Sequence, residues 1–304
     1  MDKLHKSKIF GGPRGPVVLT IMDGIGIGRY EAGDIVRQAA TPNLDWLALN
    51  SLTTRLKAHG TAVGMPSDKD MGNSEVGHNA IGCGRVFDQG AALVKQAIAE
   101  RTLFESEVWQ NLIENVRRHD SALHLIGLLS DGNVHSHIDH LEALLAEARQ
   151  RGVRKARVHV LLDGRDVPST SALIYVDRLE AFLNDLRDSG DIDFAIASGG
   201  GRMKITMDRY EADWNMVARG WDTHVRGAER RFSTCREAIE TWRAEIPGVI
   251  DQDLPPFVIA HGDEPLGPIM ADDSVIFFNF RGDRAIEISR AFEQDSFNHF
   301  ERGP

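Results

Sequence analysis

Residues 70–85, DMGNSEVGHNAIGCGR, set Ser74 between Asn73 and Glu75, with His78 four residues on and glycines to either side. Serine is a poor nucleophile until a base or a metal lowers its effective pKa. His78 is one available activator, but no GxSxG elbow surrounds the serine, which argues against a hydrolase triad of that type. A metal-activated serine would need a carboxylate close by in space. Asp23, between the apolar run 17–22 and the glycines of DGIGIG, is a candidate. Ser74 can equally be a helix cap or a turn hydroxyl, and Asp23 a turn cap.

A second group is cationic. Arg165, Arg202, Arg281 and Arg284 follow apolar runs, and Arg209 lies about two helical turns beyond Arg202. Any one of them reads as a solvated charge. Five at the same end of one sheet would repel one another and call for a polyanionic partner. Guanidinium forks match carboxylate and phosphate oxygens two at a time, so the implied ligand is small and carries phosphate, carboxylate or both. Asp166, beside Arg165, adds a general acid or base. In SDGNVHSHIDH, His135, His137 and His140 lack the spacing of a structural zinc site. One histidine reaching a ligand, with the others exposed, is the economical reading.

The elements that must position these residues show a repeated grammar. Apolar runs at 17–22, 123–129, 158–162, 194–197 and 275–280 each end in a cluster of Gly, Asp, Ser or Arg. Between them lie helical stripes: Leu141, Leu144, Leu145 and Ala148; Leu173, Val176, Leu179, Phe182 and Leu186, opened by Pro168 and Ser169; and Ala285, Ile286, Ile288 and Phe292. Strands alternating with helices predict a mainly parallel sheet, whose ligands bind beyond the carboxyl ends of the strands. A domain boundary is expected within 85–93, and 247–256 reads as a long surface connection.

Composition excludes several classes. A net charge of −10 argues against nucleic acid as partner. No apolar run approaches the ~18 residues of a membrane span. The leader lacks an apolar core, and Cys83 and Cys235 lie far apart, which predicts reduced thiols and a cytoplasmic protein. DGIGIG fails the dinucleotide fingerprint because Arg29 stands where the last glycine belongs, and there is no Walker A motif.

The segments DGIGIG, HGTAVGMPSDKDMGNSEVGHNAIGCGR, LHLIGLLSDGNVHSHIDHL, VHVLLDGRDVPSTSA, ASGGGRMKITMDRYEADW and FNFRGDRAIE resemble, in order over nearly the whole chain, those of the cofactor-independent (2,3-bisphosphoglycerate-independent) phosphoglycerate mutases. The resemblance implies an isomerase of glycolysis that interconverts 3- and 2-phosphoglycerate through a phosphoserine. It implies an α/β fold in two parts: an alkaline-phosphatase-like domain, partial here as residues 1–88, and an inserted α/β substrate-binding (transferase) domain, residues 89–304. Two divalent metal ions, most often Mn2+, are implied, with Asp23 and Ser74 among their ligands. Ser74 is then the phosphorylated nucleophile and Asp166 a proton shuttle. His135, Arg165, Asp166, Arg202, Arg209, Arg281 and Arg284 fall on substrate-binding positions. The spacing from Arg202 to Arg209 is one residue longer than in some bacterial members. The family's chain continues well past Pro304 with further metal ligands, so these residues alone are expected to be inactive, and the full-length form to be a monomer. The alternatives are another alkaline-phosphatase-superfamily phosphohydrolase or phosphomutase, and a non-catalytic phosphosugar-binding module.

Overall fold

The computed structural model describes residues 5–22, 25–27, 30–187 and 190–303. The chain divides into two compact units, Met1–Leu56 and Lys57–Pro304. No helix among the described residues is long and apolar enough to cross a membrane.

In the first unit a helical turn, Ile35–Gln38, is capped by Asp34, whose carboxylate accepts from the Arg37 amide at 3.1 Å. A helix, Pro42–Asn50, begins on a proline whose missing N–H costs nothing in that position. The apolar run 17–22, expected to be a buried strand, forms no strand and is exposed along its length. A strand exists only through the ladder it shares with neighbours, and this run has none among the described residues. Asp23 lies outside the described residues.

The second unit is built on one sheet. Its strands are β1 (Leu123–Leu129), β2 (Lys155–Leu162), β3 (Asp193–Gly201), β4 (Arg231–Phe232), β5 (Phe257–His261), β6 (Glu264–Pro265) and β7 (Ser274–Phe277). The order is β4-β5-β3-β2-β1-β7, with β6 on β5. Strands β7, β1, β2 and β3 run parallel, and β5 is antiparallel to β3, so the expected mainly parallel α/β sheet is present. Every residue of β1 is buried, as an apolar run covered on both faces requires. The helices Ile138–Gln150 and Ala172–Arg187 are the crossovers, and residues of their predicted stripes (Leu141, Leu145, Val176, Leu179) bury in one core with Leu125, Leu129, Val158 and Val160.

Two further segments differ from, or add to, the sequence expectation. The stretch 57–91 folds with the sheet: Val63, Met65, Val76 and Ala91 form a small core against Phe280, and the Gln89 amide donates to the Gly64 carbonyl at 2.9 Å. The stretch 247–256 is not merely a surface connection, because Asp251 and Leu254 within it are fully buried. The Asp251 carboxylate accepts from the Ala172 amide at 2.8 Å, capping the second crossover helix, and pairs with Arg243 at 2.6 Å. The turn at 251–254 also supports the end of β3, where the Gly201 amide donates to the Leu254 carbonyl at 2.9 Å. A side chain at Gly201 would stand 2.3 Å from the Gln252 carbonyl oxygen, so β3 must end in glycine. Removing one member of a buried ion pair leaves the other charge uncompensated. Asp251→Ala should therefore cost about 3 kcal/mol in urea denaturation, and a loss below about 1 kcal/mol would show that the cap is dispensable.

Candidate functional site

The carboxyl ends of β1, β2 and β3 converge on Arg202, the first residue after β3. Its side chain is only 2% exposed, so its charge must be met by protein groups. Nη1 donates to Asp163 Oδ1 at 2.9 Å and to Asp166 Oδ2, and Nη2 donates to His135 Nε2 at 2.7 Å. Asp163 follows β2 and is itself held by the Ser130 hydroxyl at 2.6 Å and by the amides of Arg165 and Asp166. That last arrangement is a tight turn. Gly164 has φ +66° at its centre, and a side chain there would stand 2.8 Å from the Ser169 carbonyl oxygen.

His135 is buried, and its pKa falls to about 2 through burial and the surrounding Arg202, Arg281, Arg284 and Arg165. The ring is thus neutral, and Nε2 is free of hydrogen to accept from Arg202. Its backbone carbonyl accepts the Phe280 amide at 2.8 Å, tying the loop after β1 to the loop after β7.

That second loop brings Arg281, Asp283 and Arg284. Arg281 lies 3.0 Å from Asp283 and 3.0 Å from Glu75, while Arg209 reaches Asp283 at 3.8 Å. Arg284 is buried and donates to the Met207 carbonyl at 2.6 Å. Burial, with Arg209, Arg202 and Arg165 nearby, lowers its pKa to about 10. Arg165 is exposed. Among the described residues neither Arg165 nor Arg284 has a carboxylate within ion-pair distance.

The structure thus gathers His135, Arg165, Asp166, Arg202, Arg209, Arg281 and Arg284 at one end of the sheet. Part of the counter-charge expected from an external polyanion is internal. Asp163, Asp166, Asp283 and Glu75 supply internal counter-charge, and the excess resides at Arg165 and Arg284. Asp163 and Asp283 are the residues that sequence reasoning missed. Their signal was present, since each lies in the same strand-end cluster as an arginine already singled out. The histidine reading needs correction too. His140 is buried and His137 half-buried, because His137 caps the helix Ile138–Gln150 and His140 packs against Phe280.

Ser74 is exposed and opens the helix Ser74–Cys83, capped by Asn73. Glu75 reaches Arg281, and Asp70 accepts from Asn133 at 2.6 Å, so the serine segment borders the arginine cluster. His78 turns its Nδ1 to the Ser74 backbone carbonyl, at 2.7 Å. Among the described residues no three His, Cys, Asp or Glu side chains gather to hold a metal ion. Asp23, one of the two residues expected to hold a metal, lies outside the described residues.

An α/β sheet with arginines layered over the carboxyl ends of its strands defines a domain with a cationic strand-end site. The family model "BPG-independent PGAM N-terminus" matches residues 94–304, and the chain belongs to the 2,3-bisphosphoglycerate-independent phosphoglycerate mutase family. A probable 2,3-bisphosphoglycerate-independent phosphoglycerate mutase of Leptospira interrogans is 55% identical over 99% of this chain. The Trypanosoma brucei phosphoglycerate mutase of the same kind is 50% identical over 95%. This chain spans 55% and 53% of those two proteins' lengths. Crystal structures of Leishmania mexicana phosphoglycerate mutase at low cobalt concentration include a chain that superposes with a TM-score of 0.89 at 50% identity, over 93% of this chain and 52% of that one.

The buried histidines set a pH dependence. Burial, aided by neighbouring charge, holds His135 near about 2, His140 near about 4 and His224 near about 3, and holds His159 well below free imidazole. Below the ordinary value of 6.5 the unfolded chain takes up protons that the folded chain refuses. Stability is therefore full above that value and falls with pH, by up to about 1.4 kcal/mol per pH unit for each such histidine. Urea midpoints should drop steadily from about pH 7.5 to about pH 5, and a flat or rising midpoint would contradict the assignment.

Proposed function

We propose that the arginine site binds phosphoglycerate, and that in a protein of the relatives' full length Ser74 takes up and returns the phosphoryl group during interconversion of 3- and 2-phosphoglycerate. The observation that carries this reading is the layered cationic site bordered by the serine-bearing helix. Arg165 and Arg284 bring charge without an internal carboxylate partner, which suits a ligand bearing both phosphate and carboxylate. Residues 89–304 are the substrate-binding domain in this reading. It is supported by a family model that begins at 94.

In the proposed reaction the Ser74 hydroxyl oxygen forms a bond to phosphorus as the bond to the 3-oxygen of glycerate breaks. The serine proton is released in this step and the departing oxygen takes one up. The 2-hydroxyl oxygen later bonds to phosphorus and gives its proton up as the Oγ–P bond breaks and Ser74 Oγ regains a proton. Asp166, half-buried on Arg202, would hold and return these protons. Ser74 at the first turn of its helix puts the phosphoryl group at the positive end of the helix dipole. The same reading assigns Asp23 and Ser74 to a divalent-metal site with manganese as the ion, supported by the family relation and by the cobalt named for the Leishmania structures.

Calorimetric titration of the 304-residue chain with 3-phosphoglycerate should show saturable binding. Arg165→Ala and Arg281→Ala should each weaken it by roughly ten- to a hundredfold, as expected for a lost charge-assisted hydrogen bond. No binding at millimolar ligand, or unchanged affinity in both variants, would overturn the site. In a protein of the relatives' full length, Ser74→Ala should abolish interconversion and leave binding intact. Turnover in that variant would exclude the phosphoserine.

A further inference from the structure

Beneath the arginine site, a line of hydrogen bonds crosses the interior of the sheet and uses none of the residues assigned above. Asp273 Oδ2 lies 3.0 Å from His124 Nε2 on β1, and His124 Nδ1 lies 2.9 Å from His159 Nε2 on β2. His159 Nδ1 is 2.7 Å from the Ser198 hydroxyl on β3, which is 2.8 Å from His224 Nδ1. His224 Nε2 ends the line 3.0 Å from the Thr206 hydroxyl. The three histidines, Ser198 and Thr206 are at most 1% exposed.

The register explains how the line forms. Val158 pairs with Ile196 but His159 pairs with Ser198, so β3 carries one extra residue at Ala197. That bulge turns Ser198 to the face that His124 and His159 share. Without it the hydroxyl would point through the sheet.

The chemistry fixes the direction. Asp273 also accepts from the amides of Ala122 and Met270, so it is an acceptor at this end. Facing that acceptor, His124 presents its Nε2–H to Asp273 and accepts at Nδ1 from His159 Nε2. His159 accepts at Nδ1 from Ser198, whose oxygen accepts from His224 Nδ1, and His224 accepts at Nε2 from Thr206. Each of the three rings and the Ser198 hydroxyl donates once and accepts once, between an acceptor at Asp273 and a donor at Thr206. Burial, the neighbouring rings and Arg157, which is buried, paired with Asp193 and on the same face of β2, hold His159 neutral, and burial does the same for His224.

The far end meets a backbone that needs holding. Thr206 has φ +66°, a left-handed conformation that a β-branched residue avoids. It lies between Arg202 and Arg209, and the next carbonyl, that of Met207, is the acceptor for Arg284. We infer that this line, from Asp273 to Thr206, is a positioning device that locks the loop presenting Arg202, Arg209 and the Arg284 acceptor, with His224 and Thr206 as positioning residues for ligand binding. The affinity arm below rests on the phosphoglycerate reading; the ligand-free arm does not.

Thr206→Val keeps the shape and removes the hydroxyl, whereas Thr206→Ser keeps the hydroxyl. If the lock positions the loop, Thr206→Val weakens 3-phosphoglycerate binding about tenfold at a temperature where it remains folded, and Thr206→Ser restores affinity to within about threefold. Without ligand, imidazole 15N shifts in the unaltered protein should show His224 protonated on Nδ1, against His124 and His159 on Nε2. Amide exchange at Thr206 and Met207 should quicken in Thr206→Val and not in Thr206→Ser. Equal affinities for Val and Ser, His224 protonated on Nε2, or unchanged exchange in Thr206→Val would each overturn the inference. Should 3-phosphoglycerate fail to bind at all, the functional reading falls, and the shifts and exchange still decide this one.

Discussion

The second unit is organised around one buried guanidinium. Arg202 at the end of β3 carries a full charge into a space that water does not reach, and desolvation on that scale is tolerable only with several well-placed acceptors. The loop after β2 supplies Asp163 and Asp166, and the loop after β1 supplies a histidine that must stay neutral to accept. Ser130, Gly164 and the turn at 251–254 then follow as supports for those acceptors. Three strand ends are fastened to one another by the requirement of a single side chain.

Around that fixed floor the charges become progressively softer. The Arg281 side chain is 13% exposed and Arg209 39%, with Asp283 shared between them at 3.0 and 3.8 Å. The exposed member, Arg209–Asp283, contributes at most about 1 kcal/mol and exchanges partners readily. A phosphate or carboxylate entering the site would compete with Asp283 and Glu75 for the rim while leaving the Arg202 floor undisturbed. Affinity would then come from Arg165, Arg281 and Arg209, and constancy of shape from Arg202 and His135.

Much of this was legible in the sequence because the strand-end grammar is local. An apolar run followed by Gly, Asp and Arg marks both the strand and the place where its chemistry emerges, and 123–129, 158–162 and 194–197 fall within the strands observed. What was not legible depends on partners distant in the chain. Residues 17–22 have a strand's composition, but composition cannot supply a neighbouring strand. Asp251 looked like one polar residue in a connection, and only the fold shows it capping a helix that starts 79 positions earlier. His124, His159 and His224 each resemble an isolated core histidine, and a one-residue bulge in β3 is what aligns them.

The placement of Ser74 follows from the same separation between packing and charge. Glu75 and Arg281 join the serine-bearing helix to the arginine loop, but the Glu75 side chain is 44% exposed, and burial raises its pKa despite Arg281. So wet a pair cannot hold a helix in register. The holding is done by Val63, Met65, Val76 and Ala91 against Phe280, the residue immediately before Arg281. One side of that residue thus anchors the serine segment through apolar contact, while its amide donates to the His135 carbonyl on the floor of the site. Serine and arginines keep their spacing because both are referred to Phe280, and the Glu75–Arg281 pair is left free to yield to a ligand.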